Sequence, residues 1–444
     1  MLETNSTKPS ALRRGTRSVR MLGLALLGAS VLTGVTLSCG DSDSTQTPKD
    51  AGMDRGMIGP LPDPPEPSIH LSAGGGNLCV TRGDTVRCWG TNDYAQLGQG
   101  EEDGTTHPPP GKILPGTWAT LPSIYVAHAC AITAGNEISC WGKNGDGETG
   151  RVPEVDGGDV TRALSVVSNT RGALQVSTGD GFSCAAFDRG TSCWGVSSKG
   201  RIGPFNGERT ASPNAIPGLD GVASLQSGKN FSCARKHDGS IWCWGAADHA
   251  QIGRAKAQEA GADPPPHWDT DSHPQPRQVL AGTLSLAVGK FQHSCAILSD
   301  RKVACWGDNL AGQLGHDWAL DPPCERTKCN GRPTVVSGLS AAREIAVGYE
   351  HSCAVLTDDM VYCWGNNASG ALGHDPALDR YGCTPVPTQV LGVSNVAHIV
   401  AGFAFTCAIT RDDHAWCWGS NIGGVLGPAD PTASTFTPVR LEGI

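Results

Sequence analysis

The chain has 444 residues, with 34 basic and 43 acidic side chains and a net charge of −9. An acidic balance repels phosphate backbones, and no basic stripe interleaved with aromatics is present, which argues against nucleic acid as a partner. Gly228-Lys229 and Gly289-Lys290 lack the upstream glycine and the hydroxyl of a phosphate-binding loop, which argues against nucleotide.

At the N-terminus, Lys8, Arg13, Arg14, Arg17 and Arg20 precede an apolar stretch from Met21 to Leu37. This is the pattern of an export signal, so residues 1–38 are expected to be a signal peptide and not part of the fold. Thr36-Leu37-Ser38-Cys39-Gly40 resembles the cleavage and acylation site of bacterial lipoproteins, with Thr36 where Leu is usual. Cys39 is therefore expected to carry lipid, holding an exported protein at the outer membrane or cell surface. Without residues 1–38 the balance becomes 29 basic to 42 acidic, a net of −13. Residues 39–67 are rich in Asp, Ser, Thr, Gly and Pro and are expected to form a disordered tether with a reach of roughly 30 Å.

From residue 68 onward the chain repeats itself. Seven times a cysteine is followed after eight or nine residues by Cys-Trp-Gly. The pairs are Cys79 with Cys88, Cys130 with Cys140, Cys184 with Cys193, Cys233 with Cys243, Cys295 with Cys305, Cys353 with Cys363 and Cys407 with Cys417. Successive Cys-Trp-Gly sites lie 52, 53, 50, 62, 58 and 54 residues apart, so one supersecondary unit is stacked repeatedly. In the sixth copy, Arg343–Gly348, His351–Leu356 and Val361–Trp364 read as strands, and Asp358-Asp359 as a turn. Gly365–Gly373 reads as a glycine-rich loop, and Pro385–Val390 as the lead into the next unit. Asp238-Gly239 in the fourth copy is a hairpin signal that predicts positive φ at both residues. The first copy starts in mid-unit and the last stops after a lead-in strand, so the partial ends add up to one unit. A seven-bladed, all-β propeller is expected, closed by pairing of its N- and C-terminal strands in a shared blade.

The pattern Gly-x-x-His-Ser-Cys-Ala…Cys-Trp-Gly-x-Asn-x-x-Gly-x-Leu-Gly, spelled between Gly348 and Gly373, resembles the regulator of chromosome condensation repeat. It is closer still to the cysteine-paired form in exported bacterial proteins. The resemblance spans residues 69–444 and implies a seven-bladed propeller serving as a binding platform. Members of the family range from a nucleotide exchange factor for a small GTPase to an enzyme inhibitor, so the resemblance names no partner.

Each cysteine pair brackets a short turn, which places the two residues opposite one another, close enough for a disulfide. Zinc is the competing reading, but cysteines at two-residue spacing are absent. Cys324 and Cys329 are a further candidate bridge. With Cys39 acylated, one thiol among Cys324, Cys329 and Cys383 is expected to be free or intermolecular.

No catalytic, metal or cofactor constellation stands out. The slot two residues before the first cysteine holds His128, His293 and His351, but also Phe182, Phe231, Phe405 and Asn77, which reads as packed aromatic space. Two near-duplicate loops, His316-Asp317-Trp-Ala-Leu-Asp321 and His374-Asp375-Pro-Ala-Leu-Asp379, carry ligand types that calcium takes. Only two acidic residues per loop are visible, so solvated inter-blade turns are expected. One loop position differs in nearly every copy: Tyr94, Asp146, Lys199, His249, Ala311, Ser369 and Gly423. It is expected to ring one face, where binding specificity resides. Tyr94 and His249, with Trp118, Trp268 and Trp318 from the longer insertions, are the candidate contacts for a protein partner. The function expected is a non-catalytic interaction module binding an envelope or secreted protein through one propeller face. The alternatives are a metal-assisted hydrolase or lyase built on the acidic loops, and a self-associating surface component.

Overall fold

The computed structural model describes residues 67–100, 104–153, 160–253, 271–324, 327–427 and 433–444. The expected signal segment, Cys39, the tether up to residue 66 and Trp268 lie outside the described residues. The described chain is strand and turn with a few 3-10 turns, and none of its helices is long and apolar enough to cross a membrane.

Seven antiparallel sheets, each of consecutive strands, occupy residues 69–113, 123–166, 173–216, 222–280, 283–335, 342–389 and 396–440. In the sixth, Ala342–Val347, His351–Leu356, Val361–Asn366 and Cys383–Gln389 pair in chain order. The first strands are Ile69–Gly74, Ser123–Ile124, Ala173–Thr178, Val222–Ser227, Thr283–Val288, Ala342–Val347 and Val396–Ala401. Each lies against the first strands of both neighbours, and Ile69–Gly74 meets Val396–Ala401. The seven sheets therefore close around one axis as a seven-bladed propeller.

The closure differs from the expected one. The segment read as a lead into the next unit is the outer strand of its own blade, with Cys363 opposite Thr388 and Tyr362 opposite Gln389. By the same rule Ser434–Arg440 pairs with Ala415–Ser420, and Ile69–Gly74 with Asn77–Arg82, so no blade is shared between the termini. The ring closes by packing between complete blades. Ile69, Leu78 and Trp89 of the first share one core with Phe405, Val425 and Leu441 of the last. Phe403 N–H donates to Gly75 O at 3.0 Å, and Arg82 Nη1 donates to Ile444 O at 2.9 Å.

The local chemistry of the repeat follows from tight contacts. Every expected hairpin pair is disulfide-bonded. Cys79 is joined to Cys88, Cys130 to Cys140, Cys184 to Cys193 and Cys233 to Cys243. Cys295 is joined to Cys305, Cys353 to Cys363 and Cys407 to Cys417. The two members of each pair face one another across the hairpin, with Cα atoms 4.0–4.1 Å apart. The glycine after each tryptophan sits at a bulge, where Gly365 has φ 107° and an added Cβ would stand 2.5 Å from Glu350 O. In the Asp238-Gly239 turn only Gly239 has positive φ, at 79°. Lys236 N–H donates to Ser240 O and Gly239 N–H to Lys236 O, which makes a three-residue loop with one left-handed residue instead of the expected two. A cysteine separation of ten requires the extra residue, and Asn136, Arg301, Asp359 and Asp413 take the same left-handed place in the other hairpins of that spacing.

Every Trp of Cys-Trp-Gly is fully buried, a burial worth roughly 4–6 kcal/mol per ring. Each indole N–H reaches into the preceding blade. Trp141 Nε1 donates to Gln96 O, Trp194 to Glu148 O, Trp244 to Arg201 O, Trp306 to Gln251 O, Trp364 to Gln313 O and Trp418 to Ala371 O. Trp89 Nε1 donates to Val425 O at 3.1 Å and completes the circle. Replacing Trp89 with Phe removes the donor and leaves a smaller ring, so Trp89→Phe is expected to cost about 2–4 kcal/mol. A urea midpoint unchanged from the parent would show that closure does not depend on this contact.

Candidate interaction face

Because strands alternate in direction, the turn after each first strand and the loop after each third strand emerge on one face, the upper. The cysteine hairpin turns and the connections between blades lie on the lower. The upper loops are built from repeated side chains. Asn92, Asn144, Asn309, Asn367 and Asn421 each accept, through Oδ1, the backbone N–H five residues on. Gln96, Gln251 and Gln313 each accept the N–H two residues back. In the second blade Glu148 takes that glutamine position and accepts Asp146 N–H at 2.7 Å. Burial raises its pKa above the ordinary carboxylate value.

The variable loop position does form a ring on this face, but several members are spent on neighbouring blades. Tyr94 is 40% exposed. Lys199 pairs with Asp248 of the next blade, and His249 Nδ1 lies 3.3 Å from Asp308 Oδ1 and 3.2 Å from Thr327 Oγ1. Ala311 is buried. Of the two described tryptophan candidates, Trp318 joins the ring at Ala311 and Trp118 does not. Trp118 lies in a blade connection on the lower face, half-buried against Trp141 with ring centroids 5.6 Å apart. Trp318 is half-buried against Ala311 and Cys383, with Lys328 Nζ 5.7 Å from its ring.

The duplicate acidic loops are hydrogen-bonded turns. Asp317 and Asp375 cap short 3-10 turns by accepting the N–H of Ala319 and Ala377 at 2.8 Å. Asp321 is held by Asn309 Nδ2 at 2.6 Å and His316 Nε2 at 3.0 Å, and Asp379 in the same way by Asn367 and His374. Their carboxylates are thus committed within the loop, and no metal-holding group of His, Cys, Asp or Glu occurs among the described residues. Cys324 and Cys329 are bonded to each other, and Cys383 is also disulfide-bonded. The expected free thiol is therefore absent among the described cysteines.

The three histidines before the cysteines are fully buried and bridge blades. His128 Nε2 lies 2.9 Å from Ser183 Oγ, His293 Nε2 3.0 Å from Ser352 Oγ, and His351 Nε2 3.0 Å from Thr406 Oγ1. The ring in this slot packs where a side chain beneath would collide: a Cβ on Gly348 would stand 2.2 Å from His351 Cε1, as one on Gly402 would stand 2.1 Å from Phe405. Burial lowers the imidazole pKa values to about 3, 3 and 4, so the rings are neutral structural groups.

A feature not anticipated from the sequence occupies the channel mouth. The residue at the tip of each first turn faces the axis, and in three successive blades it is aromatic. Phe291 and Tyr349 stack with centroids 4.2 Å apart, and Tyr349 and Phe403 at 4.1 Å. All three are half-buried. Lys229 Nζ stands 4.9 Å from the Phe291 ring at one end of the stack. Beneath, Tyr125 crosses from the second blade to the fifth, its hydroxyl donating to Lys290 O at 2.8 Å. Glu350, behind Tyr349, accepts Asn366 Nδ2 at 2.9 Å, and burial followed by the charge of Asp308 raises its pKa to about 7. Asp180 lies exposed across the mouth.

A closed ring of seven cysteine-clamped blades with a varied upper face defines a repeat-built β-propeller. The RCC1-like domain model matches residues 123–444, and the chain belongs to that family. It is similar to the ultraviolet-B receptor UVR8 of Arabidopsis thaliana, 24% identical over 386 residues that cover 85% of this chain and 82% of that one. It is also similar to protein pim1 of Schizosaccharomyces pombe, 27% identical over 389 residues covering 80% and 70% of the two chains. Among solved structures, Prp20p of Saccharomyces cerevisiae shares the fold with a TM-score of 0.65 at 21% identity, over 80% of this chain and 85% of that one. Human WBSCR16 does so with 0.64 at 21%, over 81% and 95%.

The buried histidines set a pH dependence. Their folded pKa values lie below the ordinary 6.5, so between about pH 6.5 and 4 the unfolded chain binds more protons and stability is lost on acidification. Glu350, raised to about 7, acts oppositely, favouring the folded state at the acid end of its range. Three groups outweigh one. His351→Phe, with Gly348 beneath the ring as Gly402 lies beneath Phe405, should fold and should shrink the fall in urea midpoint between pH 7 and 5 by about half, since Glu350 already offsets one of the three histidines. An unchanged fall would place the acid sensitivity elsewhere.

Proposed function

We propose that this chain is a non-catalytic protein-binding module of the bacterial cell envelope, engaging its partner through the upper face of the propeller. The observation that carries the reading is the stacked Phe291, Tyr349 and Phe403 at the channel mouth, half-exposed on a closed scaffold. Aromatic side chains held rigidly at the centre of a face are the usual anchors of protein interfaces. Tyr94, Val126, Phe205, Leu310 and Ile422, each 37–44% exposed, surround the mouth on the same face. Prp20p, which shares the fold, has binding properties towards Gsp1p and histones, so a propeller of this kind accommodates protein partners.

Eight disulfides among the described residues favour an oxidising compartment. Acylation of Cys39 would then hold the module at the envelope. Mass spectrometry of the N-terminal peptide tests the anchor directly. A diacylated Cys39 supports it, and an unacylated one removes it.

The interaction reading is tested with a photo-reactive amino acid placed at position 94 or 205 on the upper face and at Leu174 or Leu391 on the lower, in the producing cell. A protein cross-linked from both upper positions and from neither lower one is the expected result. Cross-links from the lower positions alone would overturn the assignment of the face.

A further inference from the structure

The aromatic stack is asymmetric in a way that specifies what it can receive. The tips of the seven first turns are Gly75, Val126, Asp180, Lys229, Phe291, Tyr349 and Phe403, in order around the axis. At the Phe291 end the stack is closed by the ammonium of Lys229. At the Phe403 end the next tip is Gly75, whose carbonyl accepts Phe403 N–H at 3.0 Å. Among the described residues no ring or cation covers that side of Phe403. Gly75 has φ 57°, and a Cβ there would stand 3.0 Å from Val126 Cα and 3.1 Å from Tyr125 O, so the backbone keeps the position free of a side chain. The slot is bordered by Phe403, Val126 and the Gly75-Gly76 backbone, with Ile422 O beside Gly76. Its wall is the ring face of Phe403, and the stack beyond repeats at 4.1–4.2 Å. That spacing suits a flat group.

We propose that this slot receives the guanidinium of an arginine side chain presented by the partner protein, as the next member of the stack. Two observations select a planar cation. Ring faces are electronegative, and the far end of the same stack already holds an ammonium. Asp180 also lies exposed at the mouth, a carboxylate that a cation can meet. A guanidinium is flat and stacks on aromatic faces, whereas an ammonium is a compact, strongly hydrated charge that gains less from a slot one ring thick. An aromatic side chain would match the flatness but would bring no positive charge to the ring face.

This inference deepens the interaction reading and rests on it. The test uses the full chain with its disulfides intact and three capped tripeptides, acetyl-Gly-Arg-Gly-amide and its Lys and Tyr counterparts, titrated by NMR on fluorophenylalanine-labelled protein. The arginine peptide should bind about three- to fivefold more tightly than the lysine peptide and shift the Phe403 resonance. Phe403→Leu, which keeps an apolar side chain at a half-exposed site, should abolish that preference and leave the thermal transition in place. Equal binding of Arg and Lys peptides, tighter binding of the Tyr peptide, or an arginine preference that survives Phe403→Leu would each overturn the proposal. The broader reading fails separately: upper-face cross-links that persist in Phe403→Leu would leave the interaction face standing while removing the slot.

Discussion

The contact on which the ring depends is the indole N–H of each Cys-Trp-Gly, donated to a backbone carbonyl in the loop of the preceding blade. In three blades the same carbonyl takes a second donor: Ser183 Oγ joins Trp194 on Glu148 O, Ser352 joins Trp364 on Gln313 O, and Thr406 joins Trp418 on Ala371 O. A buried carbonyl has two lone pairs, and leaving one unmatched in a core costs free energy. Each blade therefore completes the hydrogen bonding of its neighbour and cannot be satisfied alone. A single blade buries too little to fold, whereas seven in a closed circle leave no unmatched end. The hydroxyls also meet the histidines two residues before the cysteine. His128 bridges to Ser183, His293 to Ser352 and His351 to Thr406, each in the following blade.

The fold was legible because its fixed positions are contacts repeated seven times. Cysteines facing across a hairpin, a glycine bulge after tryptophan and, in five of the seven blades, an asparagine closing the loop recur at set spacing, since the same backbone geometry recurs. The closure was not legible. Whether Pro385–Val390 belongs to its own blade or the next depends on hydrogen bonds across sixteen residues of loop, and the repeat frame alone is silent on that choice. The Asp238-Gly239 turn misleads for a related reason: the dipeptide suggests two left-handed residues, while the separation of ten between Cys233 and Cys243 leaves room for a three-residue loop with one. The separation decides it.

The candidate site was legible only in part. Comparison of the copies located a ring of variable loop residues, and that ring lies on the upper face. It did not show that Lys199 and His249 are taken up by Asp248 and Asp308 of adjoining blades. Nor did it show that Trp118 and Trp318 are half-buried rather than presented. Large aromatics in insertions have no periodic neighbour to reveal what they pack on. The channel-mouth aromatics left a faint signal, a Phe or Tyr between the turn glycine and the His or Phe slot. That signal is displaced in the fifth blade, where Gly289-Lys290-Phe291-Gln292-His293 carries one extra residue. Gly289 N–H accordingly reaches His293 O, whereas Gly348 N–H reaches His351 O. The insertion brings Phe291 into register with Tyr349 and lets the stack begin.

That register shows how such a face can be specific while the scaffold stays fixed. Backbone hydrogen bonds run from tip to tip around the mouth, from Asp180 N–H to Lys229 O, Lys229 N–H to Phe291 O and Tyr349 N–H to Phe403 O. They hold the Cα atoms of the collar independently of the side chains these carry. The inward-facing tip residues can then change without disturbing the tryptophan circle below, so charge and flatness at the axis are set by a few side chains. Tyr125 crosses beneath the collar to Lys290 O and ties the second blade to the fifth. A mouth walled by fixed rings orders few groups when it is filled, and binding there forfeits little conformational entropy. The constraint that makes the ring rigid is the same one that leaves its centre free to diverge.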